Sequence, residues 1–332
     1  MKVSVIMPLY NKGPFVQEAI RSVLDQGFED LEVVVVDDVS VDDSFIQVQS
    51  MEDPRVKLFK NEKNLGAAMC AQRAIDEAKG EYLIRLDADD LCVPDKIEKQ
   101  VRYMDEHPEV GASGGYLQLF GDKERTWKFP EHDDDCKAQL LFGVPVSQGA
   151  SIMRRSVIKE NDIRYTADLP PVGEDWLYWL QWSKVSCFGN LQEPMTLYRR
   201  GEHNASFGRD KVADHKALFK RVFEFFDIPL SDEHLGSHLY TMKVFLEKPS
   251  AGSVHRFRAH LDHLKEMNKE RKIFPIEAFE KRVERSWGEL FFYLPQYGAG
   301  PVKAYKAFSG SLKSEERKYY FRYRVNKILG RA

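Results

Sequence analysis

The sequence predicts an α/β fold, a mostly parallel sheet flanked by helices and followed by a mainly helical C-terminal region. Apolar runs of strand length alternate with amphipathic helical patterns in units of about 25–30 residues, the spacing of strand–crossover–strand units. Three of those runs end in polar loops, at 8–12, 37–40 and 87–90, and in a parallel sheet the carboxyl ends of the strands share one edge. After residue 207 strand patterns give way to helical ones.

Val3–Met7 reads as a buried strand that ends in the loop Pro8-Leu9-Tyr10-Asn11-Lys12. Gly13-Pro14 opens a helix with Phe15, Ala19, Ile20, Val23 and Leu24 at helical spacing. Leu31–Val36 is almost continuously apolar, as in parallel strands buried on both faces, and stops at Asp37-Asp38. A turn through Ser44 leads into a short helix, and Val56–Phe59 forms a third strand. Asn64-Leu65-Gly66 opens a helix that runs to Ala78, with Gly80 expected at its C′ position.

Tyr82–Leu86 then ends abruptly in Asp87, Asp89 and Asp90. Along an extended chain Asp87 and Asp89 fall on one side, roughly 6.5–7 Å apart. Oxygen-only ligands suit Mg²⁺ or Mn²⁺, which complete their shells with phosphate oxygens. A helix cap or solvated turn also uses such a pair, so the other loops on the same edge decide.

Beyond the acidic turn, Pro94–His107 is helical and Val110–Phe120 strand-like, with Gly114-Gly115 a bulge or close approach. Residues 121–135 read as irregular and Ser147–Met153 as a short buried strand. Glu174–Leu180 is a helix with two carboxylates in its first turn, where the dipole alone favours them by about 0.3–1 kcal/mol. Leu191–Arg199 is a final strand. The helical patterns that follow include Val212–Phe226, His234–Leu246, Val254–Asn268, Ile276–Phe292 and Glu315–Leu329. In the last, Arg317, Lys318, Arg322, Arg324, Lys327 and Arg331 are interleaved with Tyr319, Tyr320, Phe321 and Tyr323. The plain reading is a solvated charged face; the functional one is docking on an anionic membrane surface, with nucleic acid third.

A chain of 332 residues allows two domains, expected at 1–207 and 208–332. Lys plus Arg total 49 against 52 Asp plus Glu, a net charge of −3, which excludes the strongly basic class of nucleic-acid binder. Cys70, Cys92, Cys136 and Cys187 form no Cys-x-x-Cys pair, so neither a disulfide framework nor a thiolate zinc site is expected. The apolar stretch before Pro8 is too short for a signal peptide or a membrane span. The expectation is a cytoplasmic protein, peripheral at the inner face of the plasma membrane if the basic helix docks. No Gly-x-Gly-x-x-Gly follows Met7, which disfavours a dinucleotide-binding dehydrogenase.

Five segments fall in the order and spacing of a known family: Val3–Asn11, Val36–Asp42, Asn64-Leu65-Gly66, Gly80 to Asp90, and Gly173-Glu174-Asp175. Over residues 1–207 the chain resembles glycosyltransferase family 2. The resemblance implies an inverting enzyme of GT-A fold that moves a sugar from a nucleotide-diphosphate donor, expected to be a UDP-sugar. The acceptor would be a hydroxyl of a saccharide or lipid-linked molecule, in the context of cell-surface polysaccharide biosynthesis.

For the site, the resemblance implies Mn²⁺ or Mg²⁺ at Asp89, with Asp87 beside it or nearer the ribose. The nucleotide would lie against Pro8, Tyr10, Asn11, Asp38, Asn64 and Gly66. Asp175 is similar to the family's general base, Glu174 stands next to it, and Trp176 would offer an apolar face to an acceptor sugar. The C-terminal region would serve acceptor, oligomer or membrane contacts.

Four residues at three places depart from the pattern. Val39 stands where the family carries Gly, Ala71-Gln72 where it carries Arg-Asn, and Gly201 where it carries His. His203, two residues on, is the remaining candidate metal ligand against a plain surface histidine. A catalytically silent sugar-nucleotide-binding scaffold is the alternative of a different class. A sugar nucleotidyltransferase, which would need a Gly-rich basic loop after the first strand, is the weaker enzyme alternative.

Overall fold

In the computed structural model, which describes residues 1–121, 125–168, 170, 172–201 and 208–329, the unit Met1–Arg209 is built on one nine-stranded sheet and the unit Asp210–Ala332 is helical. In the first unit β1 (Val3–Leu9), α1 (Gly13–Leu24), β2 (Leu31–Asp37), α2 (Ser44–Gln49), β3 (Val56–Lys60), α3 (Ala67–Glu77) and β4 (Tyr82–Arg85) follow one another. The four strands lie parallel in the order β3-β2-β1-β4. β2 is buried at every position, as a continuous apolar run requires. Val16, Ala19, Ile20 and Val23 of α1 pack on Val3, Val5 and Met7 of β1 in the main core. Each of the Val, Ile and Met side chains contributes about 1.5–3 kcal/mol by burial.

The chain continues through β5 (Leu91–Cys92), α4 (Lys96–Glu106), β6 (Val110–Gly121), β7 (Arg125–Trp127), α5 (Asp133–Gln139), β8 (Ile152–Arg154), α6 (Arg155–Glu160), α7 (Glu174–Trp182) and β9 (Cys187–Arg200). β8 pairs antiparallel with both β4 and β6, so the parallel half becomes a mixed α/β sheet there. β9 then runs parallel to β6.

Three local readings change in this unit. Ser147–Met153 is not all strand: a 3₁₀ turn occupies Gln148–Ala150 before β8 begins. The carbonyls there are taken by side chains instead of a ladder. Gly149 O accepts from Thr196 Oγ1 at 2.8 Å and Lys96 Nζ at 3.3 Å, and Ala150 O from Gln100 Nε2 at 2.8 Å. Gly80 is no left-handed cap; α3 closes through an extended Ala78. A Cβ on Gly80 would lie 2.4 Å from Ser4 N, so close approach to β1 is what requires glycine. Residues 121–135 hold β7 and the start of α5, and α6 has no clear sequence signal. At Gly114-Gly115 the expected bulge is present as a register shift, and a Cβ on Gly115 would lie 2.3 Å from Met195 Cγ.

In the second unit the helices are α8 (Lys211–Phe225), α9 (Asp232–His238), α10 (Ala251–Arg271), α11 (Ile276–Phe291), α12 (Ala299–Ser309) and α13 (Ser314–Ile328). The expected His234–Leu246 helix stops at His238, where Thr241 Oγ1 bonds His238 O at 2.7 Å and tightens the chain into a 3₁₀ turn. Among the described residues no helix is long and apolar enough to cross a membrane.

Candidate active site

A cleft of about 800 Å³, within the usual size range of small-ligand sites, opens at the carboxyl ends of β1, β2 and β4 in the first unit. Pro8, Tyr10, Asp38, Asn64, Gly66, Asp87, Asp89, Glu174 and Asp175 all line it. The strand-end logic therefore gathers residues from five separate segments at one place.

Asn11 and Trp176 do not line it. Asn11 has a left-handed backbone, φ 51°, and stitches two loops together. Its N–H donates to Ser40 Oγ at 3.0 Å and its Oδ1 accepts Val41 N–H at 2.9 Å. Lys12 N–H to Ser44 Oγ at 2.7 Å and Gly13 N–H to Asp42 at 3.0 Å extend the same seam. Val39 does adopt positive φ, at 61°, in place of the family's glycine. A β-branched residue there carries strain of about 1–2 kcal/mol, which the surrounding bonds hold in place.

Asp38 is 2% exposed and its carboxylate is largely committed to the scaffold. It accepts from Asn61 Nδ2 at 2.7 Å, Leu65 N–H at 2.9 Å and Gly66 N–H at 2.7 Å, so it fixes the loop into α3. Asn64 Nδ2 donates to Asp38 O at 3.0 Å and reinforces the loop.

Two cations unmarked in the sequence reading meet the acidic turn. Lys12 Nζ lies 2.6 Å from Asp89 Oδ2, and Arg85, 4% exposed, donates through Nε and Nη2 to Asp87 Oδ1 at 3.1 and 2.7 Å. Both line the cleft. Arg85 Nη1 is buried with no hydrogen-bond partner among the described residues. Arg85 was legible in principle, since it lies two positions before Asp87 and alternation puts both on one side of the strand. Behind the turn Asp90 takes Arg199 N–H at 2.9 Å, while Arg199 Nε donates to Asp89 O at 2.9 Å. The Arg199 guanidinium stacks on Phe15 and Phe120 at 4.8 and 4.6 Å, so β9 fixes the turn from the far side. Burial, with Asp87 and Asp89 alongside, raises the Asp90 carboxyl well above its ordinary range.

Glu174 and Asp175 occupy the first turn of α7, half-buried on the cleft wall. Asp175 Oδ1 accepts Trp176 N–H at 2.8 Å, which orients the carboxylate. One residue on is about 100° round the helix, so Trp176 turns into the core. It is 3% exposed and its indole N–H donates to Leu140 O at 2.7 Å, which rules out an open face for an acceptor. Burial raises the Asp175 pKa to about 6 and that of Glu174 to about 8, with neighbouring carboxylates adding to both.

The wall thus presents two neighbouring carboxyls, both held above the ordinary carboxylate range by burial. The Glu174 shift stabilises the fold fully below its unfolded value of 4.5, and that contribution is lost as pH rises through about 8. Glu174→Gln is therefore expected to match wild type at pH 4 and to exceed it by about 1–2 kcal/mol at pH 9, after solvent screening, in urea melts.

Ala71 and Gln72, the departures in α3, are buried away from the cleft; Gln72 Oε1 accepts Tyr165 N–H at 2.9 Å. Gln148 and Trp127 line the cleft without having been singled out in the sequence, and Tyr198, three residues before Gly201, lines it too. His203 lies outside the described residues.

Among the described residues no group of three or more His, Cys, Asp or Glu is arranged to hold a metal alone. Asp87 and Asp89 supply hard oxygen donors, and Asp89 already draws a cation in Lys12. Such a pair fits a Mg²⁺-type ion that takes most of its shell from water and substrate phosphate, and does not fit zinc.

The family model for glycosyl transferase family 2 matches residues 4–161. An uncharacterized glycosyltransferase of Haemophilus influenzae is 29% identical over 297 residues, covering 78% of this chain and 91% of that protein. A second from the same organism is 35% identical over 239 residues, covering 70% and 90%. A Bacillus subtilis protein named as a teichuronic acid biosynthesis glycosyltransferase is 35% identical over 147 residues, 42% of this chain and 58% of that one. In fold, the chain is similar to S. aureus TarS 1–349 in complex with UDP-GlcNAc, at TM-score 0.60 and 18% identity over 98% of this chain and 92% of that one. It is also similar to the mannosyltransferase PcManGT of Pyrobaculum calidifontis with GDP-Man and Mn²⁺, at TM-score 0.50 and 16% identity over 100% and 88%. With a 35% identical relative matched over nine-tenths of its length and the family model laid across β1 to α6, this chain belongs to glycosyltransferase family 2.

Proposed function

We propose that the protein is an inverting transferase that moves a sugar from a nucleotide-diphosphate donor to a hydroxyl of a saccharide or lipid-linked acceptor. The observation that carries this is the shared cleft: the acidic turn after β4 and the carboxylates of α7 face the same 800 Å³ space. A UDP-sugar is the favoured donor, in keeping with the UDP-GlcNAc complex of TarS, and polysaccharide biosynthesis the favoured context, in keeping with the teichuronic acid relative.

Asp175, ionised near neutral pH, takes the proton from the acceptor hydroxyl as its oxygen attacks the anomeric carbon. Attack opposite the leaving diphosphate inverts the centre, so an α-linked donor yields a β-linked product. Glu174, its carboxyl also raised by burial, stands beside it on the same wall. Asp89 and Asp87 would hold Mn²⁺ or Mg²⁺, which when bound neutralises charge on the departing diphosphate. Lys12 and Arg85 line the same space and add positive charge there. Pro8, Tyr10 and Asn64 shape the nucleoside end.

Calorimetry with UDP, GDP, CDP and dTDP, each with Mn²⁺, Mg²⁺ or chelator, tests this reading. One nucleotide is expected to bind tightly with metal, and Asp89→Ala to weaken it about 10- to 100-fold, the worth of a charged ligand contact. Binding indifferent to both metal and Asp89→Ala would remove the metal from the reading. Absence of any nucleotide binding would remove the donor site itself.

A further inference from the structure

Helix α13 carries two different faces. The inner face is fixed by Glu316, buried and accepting Tyr305 OH at 2.6 Å. Tyr319 and Tyr320 join it, their rings 5.2 and 6.3 Å from Phe292 and Phe291. The tyrosines that the sequence offered as a docking surface are thus largely spent on the unit's own packing.

The outer face is apolar where helix geometry least excuses it. Phe321, Val325, Ile328 and Leu329 stand at i, i+4, i+7 and i+8, a single stripe, and are 70%, 37%, 81% and 56% exposed. One exposed aliphatic needs no explanation; four in a row form a patch. At 100° per residue Arg324 lies along one border of the stripe and Arg322 along the other, while Arg317 and Lys318, four and three residues before Phe321, continue the same face toward the helix start, all exposed. No Asp or Glu occurs from Arg317 to Leu329, in a chain whose acidic residues outnumber its basic ones by 52 to 49.

We propose that α13 docks the protein on an anionic lipid bilayer. The stripe lies in the boundary between headgroups and acyl chains, and the four cations around it meet lipid phosphates at its two sides and its N-terminal end. A second copy of this chain would bring like charges together around the stripe, and a nucleic acid would leave the aliphatic stripe in water.

The test is sedimentation of the full chain with phosphatidylcholine vesicles, with and without phosphatidylglycerol. Wild type is expected to bind the anionic vesicles only, and to release as salt rises past the range where a Debye length of about 10 Å applies. The fourfold variant Arg317→Gln, Lys318→Gln, Arg322→Gln, Arg324→Gln should bind about fivefold more weakly per charge removed, several hundredfold in all. Phe321→Ser with Ile328→Ser should lose at least about tenfold, with helical content and oligomeric state unchanged. Failure of wild type to bind anionic vesicles overturns the proposal, as does equal binding by the fourfold variant. Loss of a dimer in the serine variant with vesicle binding intact would make the stripe a subunit contact and also overturn it. Vesicle binding is read without turnover, so its failure is separable from failure of the donor-site reading.

Discussion

Asp175→Asn is expected to lower kcat by about 10²- to 10⁴-fold while leaving nucleotide affinity within about twofold, the loss typical of removing a positioned general base. Asn keeps the shape of the side chain and its acceptor for Trp176 N–H, 2.8 Å away in the wild type, so α7 should start as before. What it cannot do is accept a proton. Burial holds the Asp175 pKa near 6, so the carboxylate is ionised at neutral pH yet more basic than an exposed aspartate. Wild-type turnover should accordingly climb as pH rises through about 6 and then level, and the residual rate of the variant should lack that step. Release of nucleoside diphosphate, measured across this range with saturating donor, reads both effects. Turnover retained within tenfold would leave Asp175 as an acidic residue favoured by the helix dipole, a role worth only about 0.3–1 kcal/mol. A silent sugar-nucleotide-binding scaffold would show no turnover in either protein and unchanged nucleotide affinity.

Much of the candidate cleft's lining was legible because a parallel sheet places its polar strand ends on one edge. Asp38, Asp87 and Asp89 follow β2 and β4, and each lines the cleft. The misreadings share a cause: a polar or aromatic side chain can be spent on the scaffold, and sequence does not show where. Asn11 stitches two loops, Gly80 makes room for Ser4, and Trp176, one step from the proposed base, is rotated into the core. Lys12 escaped notice because a cation is informative only beside its partner, and it meets Asp89 across 77 positions of chain. The same rule inverts α13, where the tyrosines turn inward and the aliphatics out.

Asp38→Ala should cost about 2–4 kcal/mol of stability, read from the urea midpoint, besides weakening nucleotide binding. The carboxylate is 2% exposed and satisfies three donors, Asn61 Nδ2, Leu65 N–H and Gly66 N–H. Truncation strands all three, and hydrogen bonds to a charged acceptor are worth about 1.5–3 kcal/mol each before the loop relaxes. Asp38→Asn separates this scaffold role from direct recognition. Its amide would put an N–H₂ against the Leu65 or Gly66 N–H, donor against donor, so it should destabilise nearly as much as alanine. The strained Val39, φ 61°, sits directly after Asp38 and is held by the same seam of bonds, which adds to the loss if the loop loosens. If both variants fall in midpoint and in affinity together, the carboxylate acts by holding the Asn61–Gly66 loop in the shape a nucleotide meets. If instead Asp38→Asn keeps the wild-type midpoint and loses affinity alone, the carboxylate acts on the nucleotide directly.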